Sequence, residues 1–414
     1  MGKDDLYPRL VRRKLEEALE DSPVVVLHGP RQGGKTTLAR MLADSSGREY
    51  VTFDEPVALK AAQADPVGFV SDLPAFVTID EVQRVPDLFR AIKSAVDRDR
   101  TPGRFLLTGS ADLMLLPMLS DSLAGRMEVV RLHPLARCEV ERRPASFFDD
   151  LFSKGFGVRT SQRLGPELAN LVAQGGYPEI IKRETRRRQM AWARGYLDAV
   201  IQRDVRDLSR IGRLDALPRL LSLAASQTSR LINISELSGS FSLSRTTIRE
   251  YVTVLSKLFL VEELPPWHSN RLRRLVKTPK LHFGDTGLAS AVLGCDGAAL
   301  YADRPLYGQL LETFVLQELR RQASGRDDLI SLFHFRDKDL AEVDVVIERN
   351  ARQVAGIEVK AAATIKGRDL RGLRLLRRAA GKRFVLGVLL YDGETYAPLG
   401  DDLYAVPIRH LWDG

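Results

Sequence analysis

The sequence predicts an α/β protein that opens with a parallel sheet covered by helices on both faces. Two observations carry this expectation. Between Val24 and about Leu132, short apolar runs ("VVVLHG", "EYVTFD", "AFVTID", "RFLLTG", "MEVVRL") alternate with helical patterns ("TTLARMLA", "LFRAIKSAVD", "ADLMLLPMLS"). Strands without a polar face, separated by helices, suit a sheet buried on both sides. Within that alternation the first strand runs into Gly29-Pro30-Arg31-Gln32-Gly33-Gly34-Lys35-Thr36, which has the spacing G-x-x-x-x-G-K-[ST].

That spacing has a chemical reason. Glycines let backbone N–H groups curl around phosphates, and the helix that follows aims its N-terminus at them. Lys35 is expected to reach the β and γ phosphates of ATP, the Thr36 hydroxyl to ligate Mg²⁺, and Thr37 to complete the loop. A second strand, "FVTIDE", ends in two carboxylates. Asp80 is expected in the Mg²⁺ shell, and Glu81 is expected to orient and deprotonate the attacking water. The next strand, "RFLLTGS", ends in Thr108 and Ser110, either of which would sense the γ phosphate.

Farther on, "RRPASFFDDLFSKGFGVRTSQRLG" reads as a boundary, and a helical stretch interrupted by "GGYP" follows from about Pro166 to Leu223. From Ser229 to Ala289 the pattern is two short helices and a β-hairpin, a winged-helix candidate. Ser244 would cap the second helix. Arg245, Thr246, Thr247 and Arg249 lie in its first turns, where a recognition helix meets DNA. Arg271, Arg273, Arg274 and Lys277 would make the hairpin tip a basic wing for phosphates. The alternative is a module used only for packing.

The C-terminal stretch "LAEVDVVIERNARQVAGIEVKAAA" reads as a hairpin preceded by the helix "GQLLETFVLQELRRQ" and followed by a helix carrying Arg371, Arg374 and Arg378. In a strand, Glu358 and Lys360 share one face. With Asp344 on the adjoining strand and Glu312 on the helix, they form the PD-(D/E)xK pattern of restriction-endonuclease-like folds. Carboxylates at Glu312, Asp344 and Glu358 are expected to bind Mg²⁺ or Mn²⁺, with Lys360 positioning the nucleophile. The alternatives are an inactive relic of such a centre and an ordinary hairpin whose charges face water.

Taken together, the chain resembles an AAA-fold ATPase of the ASCE class. More closely, it resembles bacterial and archaeal ATPases whose C-terminal half is known only as a domain of unknown function. "GPRQGGKTTLA", "FVTIDEVQRVPDLFRAIKSAVD", "RFLLTGSADLML", "LAGRMEVVRLHPL", "GGYPEI", "GQLLETFVLQEL", "EVDVVIE" and "IEVK" carry the resemblance over nearly the whole length. It implies a sheet of order 5-1-4-3-2. It implies an arginine, Arg126, that stabilises transition-state charge in cis or from a neighbouring subunit of a homo-oligomer. It also implies a helical lid in which Tyr177 and Pro178 touch the base or ribose. The expected organisation is an ATPase core over 1–150, a lid over 151–225, the winged helix over 226–290 and the nuclease-like domain over 291–414.

Composition narrows the partners. The 414 residues carry 62 Lys plus Arg against 54 Asp plus Glu, a formal charge of +8, which favours a polyanion such as DNA. Cys138 and Cys295 are too few for a disulfide framework or a Cys-rich zinc site. The polar start "MGKDDLYPRL" lacks a signal core, and apolar stretches such as "FVLGVLLY" are too short to span a bilayer, so a cytoplasmic location and no membrane partner are expected. Two functions stay open: an ATP-driven enzyme acting on nucleic acid, with or without nuclease activity, and an ATP-dependent signalling switch with an inactive C-terminal domain.

Overall fold

The computed structural model describes residues 6–110, 123–204, 216–274, 277–337 and 339–413. The expected helix "ADLMLLPMLS" lies outside the described residues. The first layer system is a five-stranded sheet of β1 (Val24–His28), β2 (Glu49–Thr52), β3 (Val77–Asp80), β4 (Phe105–Gly109) and β5 (Met127–Arg131). The order is β2-β3-β4-β1-β5 and all four pairings are parallel. This is the expected 5-1-4-3-2 sheet.

The central strand shows why both faces are apolar. Val24 and Val26 point into one layer with Phe89 and Ile92 of α5 (Leu88–Arg98), beside which α3 (Pro56–Ala64) and α4 (Pro66–Asp72) pack. Val25 and Leu27 point into the other, with Leu15 of α1 (Arg12–Asp21) and Leu38 of α2 (Lys35–Ser46). Alternation in a strand sends neighbours to opposite faces, so a run without polar residues fills both cores.

Among the described residues, short helices at Arg137–Val140 and Phe147–Asp149 come next, followed by α6 (Pro166–Gln174), α7 (Pro178–Ile181), α8 (Arg186–Ala199) and α9 (Ala216–Ser226). A small module comes next. It has β6 (Arg230–Leu231), α10 (Ile234–Phe241), α11 (Arg245–Lys257), β7 (Val261–Leu264), the one-turn α12 (Arg271–Arg274) and β8 (Lys280–Phe283), with an antiparallel sheet of order β6-β8-β7. Ser244 does cap α11, accepting a hydrogen bond from the Thr247 N–H at 3.0 Å.

Two short helices, α13 (Thr286–Leu293) and α14 (Gly297–Ala302), lead into the 21-residue α15 (Arg304–Ser324). The C-terminal sheet contains β9 (Ile330–Arg336), β10 (Glu342–Arg349), β11 (Gln353–Lys360), β12 (Phe384–Tyr391), β13 (Ala397–Pro398) and β14 (Leu403–Pro407), in the order β13-β14-β12-β11-β10-β9. Between β11 and β12 runs α16 (Arg371–Ala380), and the described chain closes with α17 (His410–Asp413). Leu373 and Leu376 of α16 cover one face of this sheet. Leu311 and Phe314 of α15 cover the other, within one hydrophobic core that runs from Ala136 to Trp412. The helices after the five-stranded sheet, the small module and the C-terminal sheet thus share a single core, with α15 buried at its centre. Among the described residues no helix is long and apolar enough to cross a membrane.

Candidate functional site

The loop after β1 is built as the G-x-x-x-x-G-K-[ST] spacing requires. Gly34 caps α2 with φ at 100°, a conformation that side-chain-bearing residues rarely adopt. The Lys35 ammonium is buried and donates to the carbonyls of Gly29 at 3.0 Å and Pro30 at 2.9 Å. The Thr36 hydroxyl donates to Asp80 Oδ2 at 2.9 Å, and the Tyr50 hydroxyl donates to the same oxygen at 2.6 Å. The other Asp80 oxygen accepts from Thr108. Asp80, Thr36 and Lys35 are therefore brought together at the C-terminal ends of β1 and β3.

Glu81 follows in a left-handed conformation, φ 59°, at the turn after β3. Burial raises its carboxyl above the usual carboxylate range, against the opposing pull of Lys35 and Gln83. Gln83 holds it, donating from Nε2 to Glu81 Oε2 at 2.5 Å and to Ser110 Oγ at 3.1 Å. Ser110 thus braces the Glu81 carboxyl through Gln83. Arg9, from the segment before α1, donates to the Gly33 carbonyl at 2.9 Å and steadies the loop from outside. Neither Gln83 nor Arg9 belongs to the motif spacing, and only the fold brings them in.

A cleft of about 840 Å³ opens over this loop. Arg31, Gln32, Gly34, Lys35, Thr36, Thr37 and Glu81 form its floor, and α7 and α8 form the opposite wall with Pro178, Lys182, Arg183, Trp192 and Tyr196. Pro178 lines the cleft as expected of the "GGYP" turn. Tyr177 does not: it is buried, and its hydroxyl lies 3.2 Å from that of Tyr196. The turn is pinned from behind. Gly176 N donates to Asp285 Oδ2 at 2.7 Å, and a Cβ on Gly176 would stand 2.4 Å from the Leu135 carbonyl oxygen.

Arg126 sits elsewhere. It precedes β5, whose first residue is in register with Val24 and whose last is in register with His28. The loop lies at the other end of the strands, about 13 Å away at ~3.3 Å per residue. Arg126 is paired there with Asp97 at 2.6 Å. It cannot stabilise charge at the loop of its own chain. The described basic residues of the cleft wall are Lys182 and Arg183, which sequence reasoning passed over. Their signal was a basic pair four and five residues after Pro178.

The C-terminal set also converges, with one unexpected member. Asp344 lies where the register of β10 against β9 shifts, and its Oδ2 accepts from Val359 N of β11 at 2.8 Å. Lys360 is paired with Glu358 at 2.8 Å. Among the carboxylates stands Lys280 of β8, its side chain 3% exposed. Its ammonium lies 2.7 Å from Glu312 and 3.6 Å from Asp344, and it also pairs with Glu342. Burial opposes its charge, but Glu312, Asp344 and Glu342 outweigh that and raise its pKa. Burial, with Asp344 nearby, pushes Glu312 up to about 8. The expected Mg²⁺ or Mn²⁺ at Glu312, Asp344 and Glu358 does not fit this arrangement, because an ammonium group already stands among the donors. Among the described residues no group of three or more His, Cys, Asp or Glu is arranged to hold a metal ion. Lys360, expected to position a nucleophile, is engaged by Glu358.

The basic residues divide. Arg245 is exposed at the start of α11. Arg249 is exposed but paired with Glu263 at 2.6 Å. Arg274 is not a wing residue: its side chain is 9% exposed and paired with Glu348 at 2.8 Å, with its guanidinium over the rings of Phe333 and Trp267. The Arg273 side chain lies outside the described residues. On α16, Arg374 lies 3.6 Å from Asp401.

Comparison with known proteins agrees with this geometry. The model of an AAA domain matches residues 21–141, and two domains of unknown function match residues 165–299 (DUF8612) and 307–411 (DUF4143). "Uncharacterized protein Rv2008c" of Mycobacterium tuberculosis is 33% identical over 404 residues, 96% of this chain and 83% of the relative. "Uncharacterized protein MJ1544" of Methanocaldococcus jannaschii is 21% identical over 427 residues, 98% of this chain and 90% of the relative. The Walker-type ATPase PABY2304 of Pyrococcus abyssi has 17% identity and a TM-score of 0.43, covering 70% of this chain and 97% of that one. With 33% identity to Rv2008c over almost its full length, the chain belongs to the family of that mycobacterial protein, and it joins a P-loop AAA domain to a C-terminal DUF4143 domain.

Proposed function

We propose that the protein is an ATP hydrolase that acts on nucleic acid, with nucleotide bound between the P-loop and the wall formed by α7 and α8. The observation that carries this reading is the placement of Lys35, Thr36 and Glu81 on the floor of the cleft, with the buried Asp80 hydrogen-bonded to Thr36 behind it. Lys35 exchanges the Gly29 and Pro30 carbonyls for the β and γ phosphates. Thr36 and Asp80, already hydrogen-bonded to one another, are the residues that would hold Mg²⁺, which supplies charge neutralisation at the phosphates. Glu81 takes the proton of the attacking water, and its raised pKa makes it a stronger base than an exposed carboxylate. Gln83 and Ser110 hold the carboxyl in place. Lys182 and Arg183, which share Glu179 as an ion-pair partner, leave the wall with a net positive charge of one.

Support for a nucleic-acid partner is the charge of +8, the exposed Arg245 on a helix capped by Ser244, and the helix–helix–hairpin order of 226–290, read as a winged helix. ATP turnover measured with and without DNA, beside DNA retention at several salt concentrations, tests it. Stimulated turnover and a steep salt slope support the reading; no retention at any salt concentration excludes DNA. A second reading, an ATP-dependent switch with a catalytically silent C-terminal domain, is favoured by Lys280 alone. No cleavage step is assigned to Glu312, Asp344, Glu358 and Lys360.

A further inference from the structure

Four carboxylates, Glu312, Glu342, Asp344 and Glu358, meet near the junction of α15, β10 and β11, and two ammonium groups, Lys280 and Lys360, lie among them. The two lysines differ in origin. Lys360 belongs to the C-terminal sheet itself. Lys280 is brought in by β8, a strand of the small three-stranded module. We propose that Lys280 is a built-in cation that closes a latent divalent-cation site, a plug delivered by one module into the carboxylate centre of another.

Four observations carry the proposal. Lys280 reaches three of the four carboxylates at once, whereas Lys360 pairs with Glu358 alone. Asp344 is aimed by a hydrogen bond from Val359 N to one oxygen, which leaves the other facing Lys280. The Glu358 side chain is buried, and its Oε2 has no hydrogen-bond partner among the described residues although Asp344 and Glu312 are close enough to repel it. A buried acceptor left in that state is costly, and it points to a donor or cation that the plugged arrangement does not supply. Finally, the four carboxylates outnumber the two ammonium groups, so carboxylate oxygens such as Glu358 Oε2 remain that neither lysine engages.

The plug is seated by more than one contact. On the same face of β8 as Lys280, His282 Nδ1 lies 3.0 Å from Thr313 Oγ1, the neighbour of Glu312 on α15. The Thr228 hydroxyl lies 2.8 Å from the same Thr313 oxygen and also accepts from Phe283 N. An ammonium–carboxylate pair spans about 2.7–2.9 Å, while Mg²⁺ and Ca²⁺ take oxygens at roughly 2.0–2.6 Å. Ammonium and ion therefore exclude one another: the centre holds either the β8 lysine or a metal.

The proposal rests on reading Glu312, Asp344 and Glu358 as a ligand set, and the experiment keeps the two apart. Uptake of Mn²⁺ by the full chain, without nucleotide, is followed by the loss of the free-ion electron paramagnetic resonance signal. Lys280→Met is expected to take up one more Mn²⁺ per chain than the parent, and adding Asp344→Asn is expected to abolish the gain. Lys280→Met with Glu342→Gln, which removes one charge of each sign, serves if the single variant fails to fold. A folded variant with no extra Mn²⁺, or a gain that survives Asp344→Asn, overturns the proposal. A parent chain that already takes up an ion lost on Asp344→Asn also overturns it, while leaving the ligand set standing. ATP turnover of the same variants reports separately on the P-loop reading.

Discussion

Arg321 Nη2 lies 2.9 Å from Asp285 Oδ2, the same oxygen that receives the Gly176 N–H of the turn before α7. The guanidinium also donates to the Leu135 carbonyl at 2.9 Å and to Glu318 at 3.0 Å. One side chain on α15 thus joins the exit of β5, the turn that presents Pro178 to the cleft, and the helix that carries Glu312 nine residues earlier. All three charged groups are buried. Removing one partner of a buried pair leaves the rest uncompensated and costs about 3–5 kcal/mol. Arg321→Met is expected to lower stability by that order in urea denaturation. Arg321→Lys is expected to recover only part of the loss, because a single ammonium cannot reproduce the fork. A loss below about 1 kcal/mol for Arg321→Met would remove Arg321 from the centre of the assembly.

The buried histidines set a pH dependence. Burial, with Lys280 next in importance, lowers His334 to about 3, and burial beside Arg131 and Lys35 lowers His28 to about 4. The unfolded chain takes up these protons near pH 6.5 and the folded chain does not. Their contribution is present above pH 6.5 and is lost as pH falls toward the folded values. Glu312, raised to about 8, works in the other direction, its contribution being lost as pH rises through that value. The comparison is therefore made within pairs: between pH 7 and pH 5, His334→Gln is expected to lose less stability than the parent. An identical loss in both would show that His334 titrates normally.

Trp192 offers a local reporter. Trp267 and Trp412 are each 1% exposed, whereas Trp192 is partly exposed and lines the cleft. ATP binding is expected to change the emission of the parent chain and to leave that of Trp192→Phe nearly unchanged, with binding itself retained by calorimetry. An equal change in the variant would place the nucleotide away from α8.

The arginines of the small module are expected to separate by what they touch. Arg274→Ala breaks the pair with Glu348 and strips a cation from two aromatic rings, so its cost falls on stability, about 3–5 kcal/mol. Arg245→Ala is expected to change stability by less than about 0.5 kcal/mol and to flatten the salt dependence of DNA retention. Thermal melts and salt titrations of the two variants check this. The reverse pattern would move the nucleic-acid face elsewhere.

These side chains also mark how far a sequence can be read. The nucleotide floor was legible because Gly29 to Thr36 lies within one strand–loop–helix unit, and Asp80 and Glu81 end a strand of the same sheet. Arg274 was misread because its spacing matches an exposed basic tip, and only the fold shows Trp267, Phe333 and Glu348 around it. Lys280 was invisible: a lysine in "KTPKLHF" looks like a surface residue, and its partner Glu312 is 32 residues away. Strands β9 and β14 were also missed. The first carries mostly half-buried residues, and the second ends in Pro407, so neither shows a clean alternation. Arg126 came from family resemblance, without a geometric argument, and it lies at the far end of the sheet from the loop of its own chain.

The central claim is that Glu81 is the base of an ATP hydrolase, and single-turnover hydrolysis by Glu81→Gln tests it most directly. Glutamine keeps the shape of the side chain and the contact with Gln83 but cannot accept the proton. The variant is expected to bind ATP as the parent does and to hydrolyse it roughly 10²-fold more slowly or worse, while Lys35→Ala loses binding itself. Hydrolysis by Glu81→Gln at the parent rate would contradict the assignment.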